Sequence, residues 1–275
     1  AELPIFAYLS RKPFIAQIMG SDLTEMAFTN SLHGFLLRRA YKKAKVVIFS
    51  TPIDPCLLSK LKIKNTTFLP LITDWSFFKR NDVVNEKFKN KFVIFHPANH
   101  IWKVKGNDIL ITGFASFVKS NPDSILLAVD WGEDSSKSKE LVKTLGIENN
   151  VIFLNQLIAK DLLYYYNISD VVADQFTTDG IGAIGMETLC CQKPLITKCG
   201  KDAYKGLHPE PVPVLDASTA SQIREILEYL KNKQVCEEIG KKGKDWMERY
   251  LSPTVIARKC IEIYKSVLNQ EVDKG

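Results

Sequence analysis

Residues 177–196, TTDGIGAIGMETLCCQKPLI, place Gly180, Gly182 and Gly185 between two acids, Asp179 and Glu187. The spacing G-x-G-x-x-G is that of a dinucleotide-binding loop. The acids point to a second use. A glycine loop that enters a helix near residue 182 or 183 aims free N–H groups at an anion, and the helix dipole favours that charge. Glycine lets the backbone approach a diphosphate closely. Glu187 falls about one turn into the helix, where a carboxylate can accept both hydroxyls of a ribose. Asp179, on the loop, faces whatever is attached beyond the phosphates. On this reading Gly180, Ile181, Gly182, Ala183, Ile184 and Glu187 contact phosphate and ribose, and the ligand that fits is a nucleotide sugar.

The dinucleotide alternative needs the glycine turn to open its domain and to be followed by a full crossover helix. Here the loop lies late in the chain, and only about ten residues separate Gly182 from the break at Gln192-Lys193-Pro194. Asp202, twenty residues after Gly182, stands where that reading would want its ribose acid. Bound NADH and no affinity for nucleoside diphosphates would mark that case.

The elements that must position these residues alternate. Short apolar runs read as strands at 13–19, 45–50, 66–72, 92–98, 125–130, 150–155, 170–176 and 193–199. Helical spacing covers 31–44, with Leu32, Phe35, Leu36 and Ala40 on one side. A short helix is expected after Thr51 as cap, and others near 107–119, 136–145, 159–169, 218–230 and 234–248. A last one, over 253–269, has Ser252 as cap and Pro253 at its first position. Such alternation predicts an α/β fold with parallel sheets. The polar stretch 74–91 reads as a linker, dividing the chain into domains 1–90 and 91–275.

The bulk composition is that of an ordinary globular chain, with 45% hydrophobic and 25% charged residues and a net charge of +6. The lysines are spread rather than clustered, which argues against a nucleic-acid partner. It leaves nucleotide phosphates, or peripheral contact with an acidic membrane surface, as anionic partners. The six cysteines form no C-x-x-C pair, and the four histidines show no ligand spacing to them, so no metal site is expected. No apolar run reaches the roughly 18 residues of a membrane span. Without a signal segment the expected location is the cytoplasm.

The order acid, seven residues, Glu187, then TLCCQKPLI resembles the donor domain of retaining GT-B glycosyltransferases of the family 4 type. Their usual text is an acid-G-x-G stretch followed by E-A-x-A-x-G-x-P-V. Asp179 stands where that family has glutamate, and Gln192 and Lys193 replace its usual small residue and glycine region. The segment 96–117 resembles a second family fingerprint, in which Lys105-Gly106 opens a helix and the lysine neutralises the donor diphosphate. Five residues earlier, where an arginine is usual, stands His100. Residues 92–270 carry most of the likeness. The stretch PFIAQIMGSDLTE resembles an H-G-S-D loop of the acceptor domain, with Met19 in place of the histidine and Asp22 as an acceptor-side candidate.

The resemblance implies a GT-B type α/β fold, with a Rossmann-like parallel-sheet donor domain and a partial second Rossmann-like domain. It implies transfer of sugar from a nucleotide-sugar donor, UDP- or GDP-linked, to a carbohydrate or lipid-linked hydroxyl acceptor. Configuration is retained, with neither cofactor nor metal. Lys105, Asp179 and Glu187 are the implied catalytic residues, with His100 beside them in the donor site. The likeness to the acceptor domain covers only its second half. A slow or inactive chain, or a non-catalytic nucleotide or sugar-binding module, is therefore carried as an alternative. Residues 1–90 are expected to be less stable, or covered by a second copy or a partner chain.

Overall fold

The computed structural model of the chain describes residues 2–18, 20–83 and 85–272; Met19 lies outside them. Two compact units form. One takes the chain up to residue 72 together with everything from 251 onward, and the other takes residues 73–250. The boundary thus falls at 72/73 rather than 90/91, and the last helix groups with the first unit instead of the second. The stretch expected to be a linker opens the second unit: the N–H of Asn81 and the carbonyl of Lys79 bond the Asn167 side chain, at 2.7 and 3.1 Å.

The first unit holds a parallel sheet in the order β1-β2-β3, from β1 (Ile15–Ile18), β2 (Val46–Phe49) and β3 (Thr66–Phe68). Helix α1 (Leu3–Leu9) was not foreseen; Pro4 sits in its first turn, where a missing N–H costs nothing. The short α2 (Ser21–Thr24) precedes α3 (Leu32–Lys43), which is capped by the Ser31 side chain accepting from the Gly34 N–H. Its inward stripe is Gly34, Leu37, Ala40 and Tyr41. Helix α4 (Pro55–Leu61) is capped by Asp54, whose carboxylate accepts from the Cys56 N–H, and not by Thr51. Pro55 at the first helical position fixes that start.

The second unit is built on a six-stranded, wholly parallel sheet in the order β6-β5-β4-β7-β8-β9. The strands are β4 (Phe92–His96), β5 (Ser124–Val129), β6 (Val151–Leu154), β7 (Val171–Ala173), β8 (Leu195–Thr197) and β9 (Leu215–Asp216). Every residue of β4, β5, β7 and β8 is buried, which is why these strands read as continuous apolar runs rather than alternations. The crossovers are α5 (Trp102–Lys105) with α6 (Asn107–Val118), α7 (Ser135–Thr144), α8 (Ala159–Ile168) and α9 (Ala183–Cys190). Helices α10 (Ala220–Leu230), α11 (Lys233–Leu251) and α12 (Pro253–Val272) follow. Phe114, Phe117, Leu110 and Ile111 of α6 pack with Ile223, Leu227 and Leu230 of α10 in one core. No described helix is long and apolar enough to cross a membrane.

Gln192 ends α9 in the left-handed region, at φ 55°. A side chain there costs about 1–2 kcal/mol, which a glycine avoids. Its greater freedom in the unfolded chain returns part of that gain. Gln192→Gly is therefore expected to raise stability by about 0.5–1 kcal/mol, read as a higher midpoint in urea; a lower midpoint would show that the Gln192 side chain holds something in place.

Candidate functional site

In a doubly wound parallel sheet, the chain order reverses between two neighbouring strands, and a crevice opens beyond their carboxyl ends. In the second unit those strands are β4 and β7. The segment after β4 leads through residues 97–101 into α5, which ends at Lys105. The segment after β7 is Asp174–Gly182, the glycine loop. Both candidate segments therefore flank one crevice. The glycine loop follows the fourth strand of its sheet in chain order and not the first, which is the wrong place for a dinucleotide fingerprint.

The two segments are bonded to each other. The Phe176 N–H donates to the Lys105 carbonyl at 2.8 Å, and the Thr177 hydroxyl bonds the Val104 carbonyl. Gly106 lies at φ 65°, ending α5 and opening α6. A Cβ there would meet Phe176 at 3.0 Å and Thr177 at 3.2 Å, so only glycine lets α5 lie this close to the loop. The ammonium of Lys105 donates to Asp174 Oδ1 at 3.1 Å and to Gln175 Oε1 at 2.8 Å. Two of its three hydrogens are thus held from below, and its side chain keeps 18% exposure. Asp174 is 1% exposed, and its Oδ2 has no partner among the described residues. Burial pushes its carboxyl pKa up, against the pull of Lys105.

Glu187 stands on the fifth residue of α9, half-buried, with Oε2 accepting from the Tyr166 hydroxyl at 2.7 Å. Burial raises its pKa, the Tyr166 bond opposes this, and the Asp174 carboxylate adds to the rise. Tyr166, whose ring is fully buried against Phe95 and Phe78, therefore fixes the carboxylate. From sequence the run Tyr164–Tyr166 reads as core and helix surface, and nothing in it singles out the third tyrosine.

The loop backbone divides into two sets. Gly180, at φ 113°, gives its N–H to the Lys198 carbonyl, and Ile181 gives its own to the Tyr204 hydroxyl at 3.0 Å. Those two N–H groups, read above as phosphate ligands, are spent on the loop's own support. Gly182 caps α9 without a side chain, and the N–H groups of Gly182, Ala183 and Ile184 have no partner among the described residues. The helix N-terminus is open, as an anion site requires. Asp179 Oδ1 accepts from the Gly200 N–H at 3.1 Å, and its Oδ2 lies 3.4 Å from the Lys198 ammonium.

His100 departs from expectation. It is wholly buried, with Nδ1 bonded to Ser138 Oγ at 2.7 Å, and burial lowers its pKa. Lys198 is a cation bonded near the loop besides Lys105. Trp102 and Trp131 give their ring N–H groups to Ser138 Oγ and the Pro97 carbonyl. In the first unit Asp22 is buried, and its carboxylate accepts from the Tyr41 hydroxyl at 2.6 Å and the Leu23 N–H at 3.0 Å. All six cysteines are free thiols.

An uncharacterized glycosyltransferase of Haemophilus influenzae is 23% identical over 210 residues, covering 75% of this chain and 56% of its own length. The chain thus spans little more than half of that relative. N-acetyl-alpha-D-glucosaminyl L-malate synthase of Bacillus anthracis is 22% identical over 97% of this chain and 73% of its own. Among solved structures, HepE of Anabaena, in complex with UDP and glucose, superposes with a TM-score of 0.75 at 18% identity, over 96% of this chain and 74% of HepE. Sucrose-phosphate synthase of Thermosynechococcus elongatus gives 0.73 at 15%, over 97% and 72%. These likenesses show the GT-B fold. Residues 77–246, which include every element of the crevice, match the family described as glycosyl transferases group 1. The chain belongs to the group 1 glycosyl transferases.

Proposed function

We propose that the chain moves a sugar from a nucleotide-sugar donor to a hydroxyl of a carbohydrate or lipid-linked acceptor, with retention of configuration and without a metal ion, in the manner of the family 4 type. What supports this is that the Lys105 ammonium is joined through the Gln175 side chain to the glycine loop after β7, and that this loop leads into N–H groups of Gly182, Ala183 and Ile184 with no partner among the described residues. Together they can hold a diphosphate by donors already in place. Glu187 takes the ribose hydroxyls on the same helix, and Asp179 takes the sugar. The bond from the anomeric carbon to the phosphate oxygen breaks as the acceptor oxygen arrives on the same face. The leaving phosphate oxygen takes the acceptor's proton, and Lys105 and the helix N-terminus stabilise the charge that develops there. Residues 73–250 are the donor side. Asp22, bonded to Tyr41, belongs to the acceptor side as a support rather than a direct ligand.

UDP is the favoured carrier, since HepE was solved with UDP-glucose. The expected result is that UDP binds in calorimetric titration with a dissociation constant unchanged by chelator or by magnesium. Binding that appears only with a divalent cation, or binding of NAD alone, would overturn the proposal.

A further inference from the structure

We propose that Gln175 is a positioning residue for donor binding, setting the Lys105 ammonium and the glycine loop as one unit. The inference rests on the donor-site reading above. It names a residue that the motifs of the sequence do not reach.

Gln175 is the second residue after β7, and its backbone carbonyl is held by two donors. Its carbonyl accepts from the Lys198 N–H at 2.7 Å and from the Thr197 hydroxyl at 3.2 Å. The side chain then uses both ends of its amide. Oε1 accepts from Lys105 at 2.8 Å, and Nε2 donates to the carbonyls of Thr178 at 2.9 Å and Gly180 at 3.2 Å. Chemistry fixes this orientation. The ammonium has only hydrogens to give and the two carbonyls only lone pairs, so a flipped amide would lose all three bonds.

The consequence is geometric. The Lys105 ammonium has three donors, and Asp174 and Gln175 take two. The third is left to face a ligand. The Gly180 carbonyl, held by the same amide, fixes the turn that delivers the N–H groups of Gly182, Ala183 and Ile184. Cation and helix N-terminus are thus set before a diphosphate arrives, and less ordering remains to be done on binding. Neither of its two nearest relatives does both jobs from this position. Glutamate cannot donate to the carbonyls and would add a second carboxylate next to Lys105; asparagine is one methylene short.

The test is a double-mutant cycle read by calorimetric titration of UDP, with far-UV circular dichroism melts confirming the fold of each variant. Gln175→Ala is expected to weaken UDP binding about five- to tenfold. The K105A/Q175A variant is expected to lose less than the product of the two single losses, because the part of the glutamine's effect that runs through the lysine is already gone in K105A while its hold on the loop remains. Gln175→Glu, which keeps the size, should bind at least as poorly as Gln175→Ala. Wild-type affinity in either Gln175 variant, or losses that multiply in the double variant, would overturn the inference while leaving the donor site standing. A wild-type chain that binds none of UDP, GDP or ADP would instead remove the donor site and this inference with it.

Discussion

Glu187→Ala is expected to weaken UDP binding by at least tenfold while the fold survives. The carboxylate has two oxygens, and among the described residues only Oε2 is taken, by the Tyr166 hydroxyl. The other remains for the ribose. Each hydrogen bond from a hydroxyl to a charged acceptor contributes roughly 1.5–3 kcal/mol, so the loss of even one reaches the tenfold level. The competing explanation is that Glu187 exists to satisfy Tyr166, which is wholly buried. Glu187→Ala orphans the buried Tyr166 hydroxyl in either case, so a loss of about 1–3 kcal/mol of stability is expected under both readings. The dissociation constant separates them: it changes only if the carboxylate contacts the ligand. Tyr166→Phe is the companion variant. It deletes the bond that holds the Glu187 pKa down, so burial and Asp174 push the carboxyl further up. An unchanged affinity in Glu187→Ala with a lowered melting temperature would give Glu187 a structural role.

How far the sequence reaches is visible in this one site. The glycine loop and its helix were legible because they are local: three glycines, a strand before them and apolar spacing after. The strands of the second sheet were legible for a related reason, since burial on both faces leaves unbroken apolar runs. Helix α1 was not, because its seven apolar and aromatic residues have no polar face to set a period. The bonds among Lys105, Asp174 and Gln175 join residues some seventy positions apart, and no spacing rule brings α5 to the end of β7. Tyr204, which supports Ile181, sits in the irregular loop after β8 and carries no motif. His100 was misjudged for a different reason. Whether a loop histidine is exposed or buried depends on Ser138 and Phe153, on other elements. The split of the chain at 72/73 was displaced for the same reason, since a polar stretch can pack as well as link.

The neighbouring His96 leads to the second large effect, a loss of stability in mild acid. It is the last residue of β4 and 1% exposed. Nδ1 faces the Ala173 carbonyl at 2.8 Å and so carries the hydrogen; Nε2 accepts from the Asn107 amide at 2.8 Å. A second proton would have to enter at Nε2, displacing Asn107 and placing an unsolvated charge in the core. Burial, with His100 and Lys105 adding to it and the Ala173 bond opposing, drives the pKa from 6.5 down to about 3. The folded chain therefore refuses a proton that the unfolded chain accepts below 6.5. Stability is fully present above that pH and declines as pH falls toward 3. At about 1.36 kcal/mol per unit, His96 alone costs about 2 kcal/mol between pH 7.5 and 5.0 and about 5 kcal/mol at the lower limit. His100, shifted in the same direction by burial, adds to the slope. Urea unfolding at pH 7.5, 6.0 and 5.0 measures this directly. His96→Asn can still donate to the Ala173 carbonyl, but it has nothing to titrate. It should be less stable than wild type at pH 7.5, because Asn107 loses its acceptor, and its stability should fall less steeply with acid. Equal slopes in the two proteins would place the acid sensitivity elsewhere and return His96 to the role of an ordinary hydrogen-bonded core residue.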